Sequence, residues 1–401
     1  MNDIPYIRVA TTYFKKVKAP TLSGTFNEIL IPWSIETIRQ DHGKTYLSKI
    51  PKYDGFTCFP NHIDYKQVHS GFYNKYSPLS KAPKKGDISN TIKFLKHIFG
   101  KQYELGLDYI QLLYTKPIQT LPILCLVSSE RSTGKSTFLK WLKEFFENNL
   151  TYLTNEGFHS QFNADWVSML LICIDEVLFN REELTERIKY LSTTNKNKVE
   201  AKGKDKKEVE FFGKFILCSN NEDSFIKIDA NETRFWVVKV NSIQIEDTDF
   251  LGKLTAEIPA FMFFLLNREI HTIRKTRMWF TPEQIKTPAL IKLMQNNRNR
   301  VEKELVSLLV SVMEKFDIDE VKLCPMDALN ALNKTRVKTD LTQLRRLLKK
   351  EWKLTPEPNS KSYEKFVIWS DGEITLIEAK GRYYSIKKDF LTENFDELMP
   401  E

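Results

Sequence analysis

The chain has 401 residues, 41% of them hydrophobic and 28% charged, and a formal net charge of +8. This is the composition of an ordinary soluble globular protein, long enough for two or three domains with cores of their own. No apolar run reaches the ~18 residues that would span a bilayer, and the start, MNDIPYIRVATTYFKK, lacks the basic-then-apolar layout of a secretion signal.

A cytoplasmic protein is therefore expected, with no membrane partner. Cys125, Cys173 and Cys218 each lie in an apolar run, where a thiol acts as a small hydrophobe, and Cys58 and Cys324 are isolated. No cysteine pair has metal-ligand spacing and the six histidines are scattered, so a zinc site is not expected and a reducing compartment fits. The positive balance tilts toward an anionic partner such as nucleic acid.

Residues 1–89, rich in aromatics, Pro and Gly, read as short strands and loops closed by a polar linker, SKAPKKGD, at 80–87. ISNTIKFLKHIFG has helical spacing and stops at Gly100, and ELGLDYIQLLYT reads as a second helix broken by KPIQTLP. From 121 to 240 short, continuously apolar runs appear: LPILCLV, MLLICID, GKFILCS and FWVVKV. Strands buried on both faces look like this, so the reading is an α/β fold with a mainly parallel sheet. Residues 246–300 return to helical periodicity, with FMFFLL read as part of a buried helix. The last hundred residues read as three helices, the second opened by proline and the third with Thr339 as N-cap, followed by a hairpin turning at Ser370-Asp371-Gly372. Three helices and a hairpin suggest a winged-helix-like domain over 301–390, and the acidic end ENFDELMPE a frayed tail or a partner-binding segment over 391–401.

SSERSTGKST, residues 128–137, follows the first apolar strand and opens the helix KSTFLKWLKEFF. A phosphate-binding loop is built this way: backbone N–H groups wrap the phosphates and the positive end of the helix faces them. Ser129, Ser132, Thr133 and Gly134 would form the cradle, Lys135 would reach the β- and γ-phosphates of ATP, and Ser136 would hold Mg²⁺, with Thr137 as a second candidate. Ser129 stands where the pattern has its first glycine. The strand MLLICIDEV ends in Asp175 and Glu176. Two carboxylates at the end of a core strand are costly unless they face a cation or water, so Asp175 is expected to serve the metal and Glu176 to act as general base toward water. GKFILCSNN ends in Ser219 and Asn220, and an amide there could orient the attacking water; Arg234 follows 14 residues later, before another apolar run.

Strand–STGKS–helix, strand–DE, strand–SN and RFW together resemble the superfamily 3 helicases, and most of all the phage and poxvirus-type primase–helicase proteins. The resemblance covers about 120–240, with FLKHIFG and GLDYIQLLYTKPIQTLP resembling the segment before the motor. It implies an AAA+ type P-loop ATPase forming hexameric rings on single-stranded DNA. It assigns Lys135 and Ser136 to the loop, Asp175 and Glu176 to the acidic motif, Asn220 to the sensor and Arg234 to a finger acting on the neighbouring subunit. Residues 1–89 are too short for a polymerase-like primase, so a separate primase or polymerase is a possible partner. The expected division is an accessory domain (1–89), a helical collar (90–120), the motor (121–245), a helical extension (246–300), the winged-helix-like domain and the tail.

Residues 196–207 carry six lysines against Glu200 and Asp205. Either this is a solvated turn, or it is the hairpin that family members point into the central channel, with Lys202, Lys204 and Lys206 on phosphates. Arg345 and Arg346, on the third C-terminal helix, either enter a DNA groove or belong to a protein-docking face. The function expected is an ATP-dependent DNA helicase serving a phage or mobile element in a bacterial cytoplasm. The alternatives are an origin-melting initiator and a DNA-binding regulator that uses ATP as an assembly switch.

Overall fold

The aromatic-rich first ninety residues, expected to be short strands and loops, hold strands of up to nine residues and a helix among them. The computed structural model describes residues 4–20, 26–179, 182–200, 207–228, 232–243, 247–297, 300–335, 339–369 and 372–395, and the chain divides into two units between Leu293 and Met294. Strands β1 (Tyr6–Val9), β2 (Thr12–Pro20), β3 (Phe26–Trp33) and, beyond helix α1 (Ile35–His42), β4 (Lys52–Tyr53) form a sheet in the order β3-β2-β1-β4. Ser34 caps α1, its hydroxyl accepting from the amides of Glu36 and Thr37. A second sheet joins β5 (Phe56–Thr57), β6 (Val68–His69) and β7 (Phe72–Asn74). The stretch 80–87, expected to be a linker, is tied down instead. Ser80 donates its amide and hydroxyl to Glu147, Lys81 Nζ donates to the Glu144 carbonyl (2.7 Å), and the Lys84 amide donates to the Pro259 carbonyl (2.9 Å).

His62 shows how this region is held. Its Nδ1 lies 2.8 Å from the Tyr114 carbonyl and its Nε2 2.6 Å from the Tyr76 hydroxyl, with the ring stacked on Tyr114. A carbonyl can only accept, so Nδ1 carries the proton and Nε2 accepts from tyrosine. Burial pushes the imidazole pKa down from 6.5 to about 4. The unfolded chain therefore binds the extra proton first. Stability is full above pH 6.5 and falls as pH drops toward 4, by up to about 3 kcal/mol. Urea unfolding from pH 7 to pH 4 is expected to show this loss, and the His62→Gln variant to show a flatter profile in the same window.

Next come α2 (Ser89–Phe99), α3 (Tyr103–Thr115), β8 (Ile123–Val127), α4 (Lys135–Phe146), β9 (Leu150–Leu153), α5 (Asn155–His159), β10 (Leu171–Ile174) and α6 (Glu182–Leu191). The hairpin strands β11 (Lys196–Val199) and β12 (Lys207–Glu210) follow, then β13 (Lys214–Ser219), β14 (Phe235–Lys239), α7 (Phe250–Asn267), α8 (Pro282–Ile285) and α9 (Pro288–Asn296). The four apolar runs are β8, β10, β13 and β14, and with β9 they make a five-stranded sheet, all neighbours parallel, in the order β14-β8-β13-β10-β9. β8, β10 and β13 are buried at every position.

Helices cover the sheet through large aromatic contacts. Phe99 stacks on Trp236 with ring centres 5.4 Å apart, and Phe261 of α7 packs on Trp141 and Phe145. Each such burial is worth about 2–3 kcal/mol. Gly106 in α3 permits the close approach of α2, since a Cβ there would lie 2.3 Å from the Phe99 ring. Among the described residues α7 is the one helix long and apolar enough to cross a membrane. Its Leu254, Ile258, Phe261, Met262 and Leu265 are buried in this core. Its Glu257 accepts from the amides of Asn90 and Thr91 (3.2 and 2.7 Å), a carboxylate placed at the positive end of α2. Just past α7, Arg268 pairs with fully buried Asp108 (2.5 Å) and with Glu104 (2.8 Å). Asp108 also accepts from the amides of His271 and Thr272 and from the Thr272 hydroxyl.

In the second unit α10 (Arg300–Phe316), β15 (Glu320–Leu323), α11 (Pro325–Lys334) and α12 (Leu341–Arg346) are followed by β16 (Lys361–Ile368), β17 (Ile374–Gly381), β18 (Tyr384–Lys387) and α13 (Lys388–Phe395). Three helices and the β16–β17 hairpin match the expected order. β15, which pairs antiparallel with β18, and α13 are additions. Leu305, Leu309, Leu332, Leu344 and Ile386 form its core. The expected cap moves by one residue. Asp340 accepts from the amides of Thr342 and Gln343 (2.7 and 2.9 Å), while the Thr339 hydroxyl donates to the Gln343 side chain. Residues 391–395 of the expected tail belong to α13, which buries Leu391 and Phe395, and 396–401 lie outside the described residues. Ser370 and Asp371 lie outside the described residues.

Candidate functional site

At the carboxyl end of β8 the chain turns through residues 129–134 into α4. Gly134 has φ +85, and a Cβ there would lie 3.0 Å from Ile243 Cδ1 and 3.2 Å from Phe94 Cε2, so glycine is required. Ser132 also adopts a positive φ, of 52. Ser129 does not, which removes the conformational reason for a glycine at that position. Instead its amide and hydroxyl both donate to Glu222 Oε1, at 2.7 and 3.1 Å. Thr133 is buried, its carbonyl 3.0 Å from His97 Nε2. Gly134 is the N-cap of α4 and gives no side-chain cap, so no side chain caps the first-turn amides there, as an anion site requires.

Lys135 is only 6% exposed and folds back over the loop, with Nζ 3.1 Å from Thr133 Oγ1 and 3.5 Å from the Ser128 carbonyl. Burial lowers its pKa, while the charges of Asp175 and Glu222 act in the other direction. The next residue, Ser136, donates its hydroxyl to Asp175 Oδ2 at 2.9 Å. Thr137, in the same first turn, is half-buried. The Ser136–Asp175 pair joins two hard oxygen donors, the type Mg²⁺ takes. Among the described residues no group of three or more His, Cys, Asp or Glu side chains could hold a metal. A Mg²⁺ here would thus need phosphate oxygens and water to complete its shell, which is its usual habit.

Glu176, exposed like Asp175, has φ 56, uncommon for a non-glycine residue and often found where a site holds its backbone under strain. The Asn155 side chain donates to its carbonyl at 3.1 Å. β13 lies between β8 and β10, so Asn220, exposed just beyond it, emerges between the loop and the acidic pair. Ser219 is committed elsewhere: it is buried and donates its hydroxyl to the Val177 carbonyl (2.9 Å). Asn221 caps the next turn, accepting from the amides of Asp223 and Ser224.

Arg234 is not brought to this cluster. It precedes β14, and its carbonyl accepts from the Ile123 amide at the start of β8, so it lies at the amino edge of the sheet. Five residues of strand at ~3.3 Å each separate the two edges, roughly 16 Å. It is part-exposed and lies 3.7 Å from Glu232, which is itself buried against Lys189 (3.1 Å).

The lysine-rich hairpin has its predicted stem, with β11 and β12 antiparallel from Lys196↔Glu210 to Val199↔Lys207. Buried Asn163 holds the turn-side end of β11, donating to the Lys198 carbonyl and accepting from the Glu200 amide, both at 2.8 Å. Lys202, Lys204 and Lys206 lie outside the described residues. In the second unit Arg345 and Arg346 are exposed together with Lys349 and Lys350, and Arg346 pairs with Glu351 (3.3 Å).

Sequence reasoning missed the residues that hold the loop from outside. Glu222 pairs with Lys239 (3.0 Å) as well as with Ser129. Ser242 donates its amide to Glu130 (2.9 Å) and Ile243 to the Ser132 carbonyl (2.9 Å). In the sequence these are ordinary residues at or just after the ends of β13 and β14. Only the strand order, which sets both strands beside β8, marks them.

A family described as a family of unknown function (DUF5906) matches residues 126–234, the span from the loop to Arg234. No curated protein matches the chain. Solved apo structures of the NrS-1 C terminal region share its fold. One, of residues 305–718, is 14% identical with a TM-score of 0.64, covering 95% of each chain. An A form is 15% identical with a TM-score of 0.62, covering 92% of this chain and 94% of that one. A further A-form structure is 16% identical with a TM-score of 0.58, covering 88% and 84%.

Proposed function

We propose that this chain is a ring-forming P-loop ATPase of the AAA+ type that works as a superfamily 3 DNA helicase on single-stranded DNA, in the replication of a phage or mobile element. The observation that carries the reading is the meeting of buried Lys135 with the bonded pair Ser136 and Asp175 at one edge of a parallel sheet, where α/β folds bind ligands. Bound Mg·ATP would supply the phosphoanhydride whose hydrolysis drives the motor. Lys135 would neutralise phosphate charge, Ser136 and Asp175 would hold the cation, and Glu176 would take a proton from the water that Asn220 orients; the water oxygen bonds to the γ-phosphorus as ADP leaves. Arg234, at the far end of the sheet and too distant for its own loop, would act on a neighbour's site in such a ring. The lysine hairpin, its stem anchored by Asn163, would grip phosphates without reading bases.

The exposed Arg345, Arg346, Lys349 and Lys350 favour a second reading, a DNA-binding initiator or regulator with ATP as an assembly switch. ATP hydrolysis measured with and without single-stranded DNA separates the two. Strong stimulation by DNA, followed by strand displacement, supports the helicase. ATP binding without turnover rules out the motor and leaves the switch.

A further inference from the structure

Glu222 lies three residues beyond β13 and is 9% exposed. Its carboxylate takes the amide and hydroxyl of Ser129 on one oxygen and the Lys239 ammonium on the other. Burial disfavours its charge, but the bonds from Ser129 and Lys239 outweigh that and hold its pKa below the ordinary carboxylate value. A lasting negative charge therefore stands against a loop shaped for anions. Such an arrangement is unfavourable for a polyphosphate unless the charge is cancelled. Lys239, the last residue of β14 and about half exposed, is the group that cancels it.

We propose that Glu222 is a positioning residue anchoring the first turn of the loop, and that Lys239 is the counter-charge that lets a nucleoside triphosphate bind beside it. The proposal rests on the ATP-binding reading above. It gives Ser129 a purpose, since its hydroxyl supplies a bond to Glu222 that glycine lacks. The anchor also ties the loop to the segment just after Asn220, so the amide and the phosphates keep a fixed spacing.

The test is Mg·ATP binding by calorimetry for the full chain and for Lys239→Met, Glu222→Gln and the double variant, with a thermal melt of each. Lys239→Met is expected to weaken binding roughly fivefold, because it leaves an unpaired charge near the phosphates. That loss should shrink as salt is raised. Adding Glu222→Gln should restore affinity to within about twofold of Glu222→Gln alone, a strongly non-additive result. Equal or additive losses that follow the melting temperature would overturn the proposal, since a merely structural pair behaves that way. Lys239→Met keeps both Ser129 bonds, so the comparison survives even if Glu222→Gln folds poorly: in that case an unchanged affinity, or a loss insensitive to salt, overturns the counter-charge. Wild-type chain that fails to bind Mg·ATP would instead remove the underlying ATPase reading. Wild-type binding that Lys239→Met leaves unchanged removes only the counter-charge.

Discussion

Lys135→Ala is expected to lower ATP hydrolysis roughly a thousandfold, the scale found when a preorganised charge is removed from a phosphoryl-transfer site. Lys239, the cation across the loop, is held by Glu222 and does not replace Lys135. The fold should survive, because Nζ has only two modest bonds, to Thr133 and Ser128. Steady-state hydrolysis beside a thermal melt checks both halves, and near-normal turnover in a folded variant would place the chemistry elsewhere. A mixture of Lys135→Ala and Arg234→Ala chains should regain part of the activity. An interface can then combine the intact loop of one chain with the intact arginine of the other. No regain in assembled mixtures would remove Arg234 from the site.

The second large effect concerns stability. Arg268→Ala leaves fully buried Asp108 without its cation. Breaking one side of a buried ion pair costs about 3–5 kcal/mol, equivalent to a fall of roughly 10 °C in the melting temperature of a unit this size. Three donors from residues 271–272 remain on Asp108, so the Arg268→Ala/Asp108→Asn double variant should recover part of the loss. Urea unfolding of the three proteins measures it. A loss below about 1 kcal/mol, the level of an exposed pair, would mean that the three remaining donors suffice for the carboxylate.

The strands of the sheet were legible because burial on both faces leaves continuous apolar runs, as in ILCLV and KFILCS. β9 was not, since LTYL is a four-residue edge strand with one face open and an unremarkable pattern. Within the site, the sequence shows Lys135 and Ser136 opening a helix and Asp175 following a buried strand, and the parallel sheet brings Ser136 to 2.9 Å from Asp175. The meaning of Ser129 was not legible. The bond that explains it comes from Glu222, 93 residues away, and depends on β13 lying beside β8. The same limit hid Glu257, whose role at the start of α2 exists only once α7 packs there.

β14 pairs only with β8 among the described residues, and its two ends meet different things. Arg234 and Glu232 precede it, while Lys239 ends it, Ser242 and Ile243 follow, and these three hold the loop. A close-packed strand shifts as a unit rather than stretching. In an assembly where Arg234 entered the adjoining site, β14 would act as a connecting rod. A pull on one end would be delivered, a strand length away, to the clasp around that subunit's own fuel, and turnover would pass around such a ring in order rather than at random.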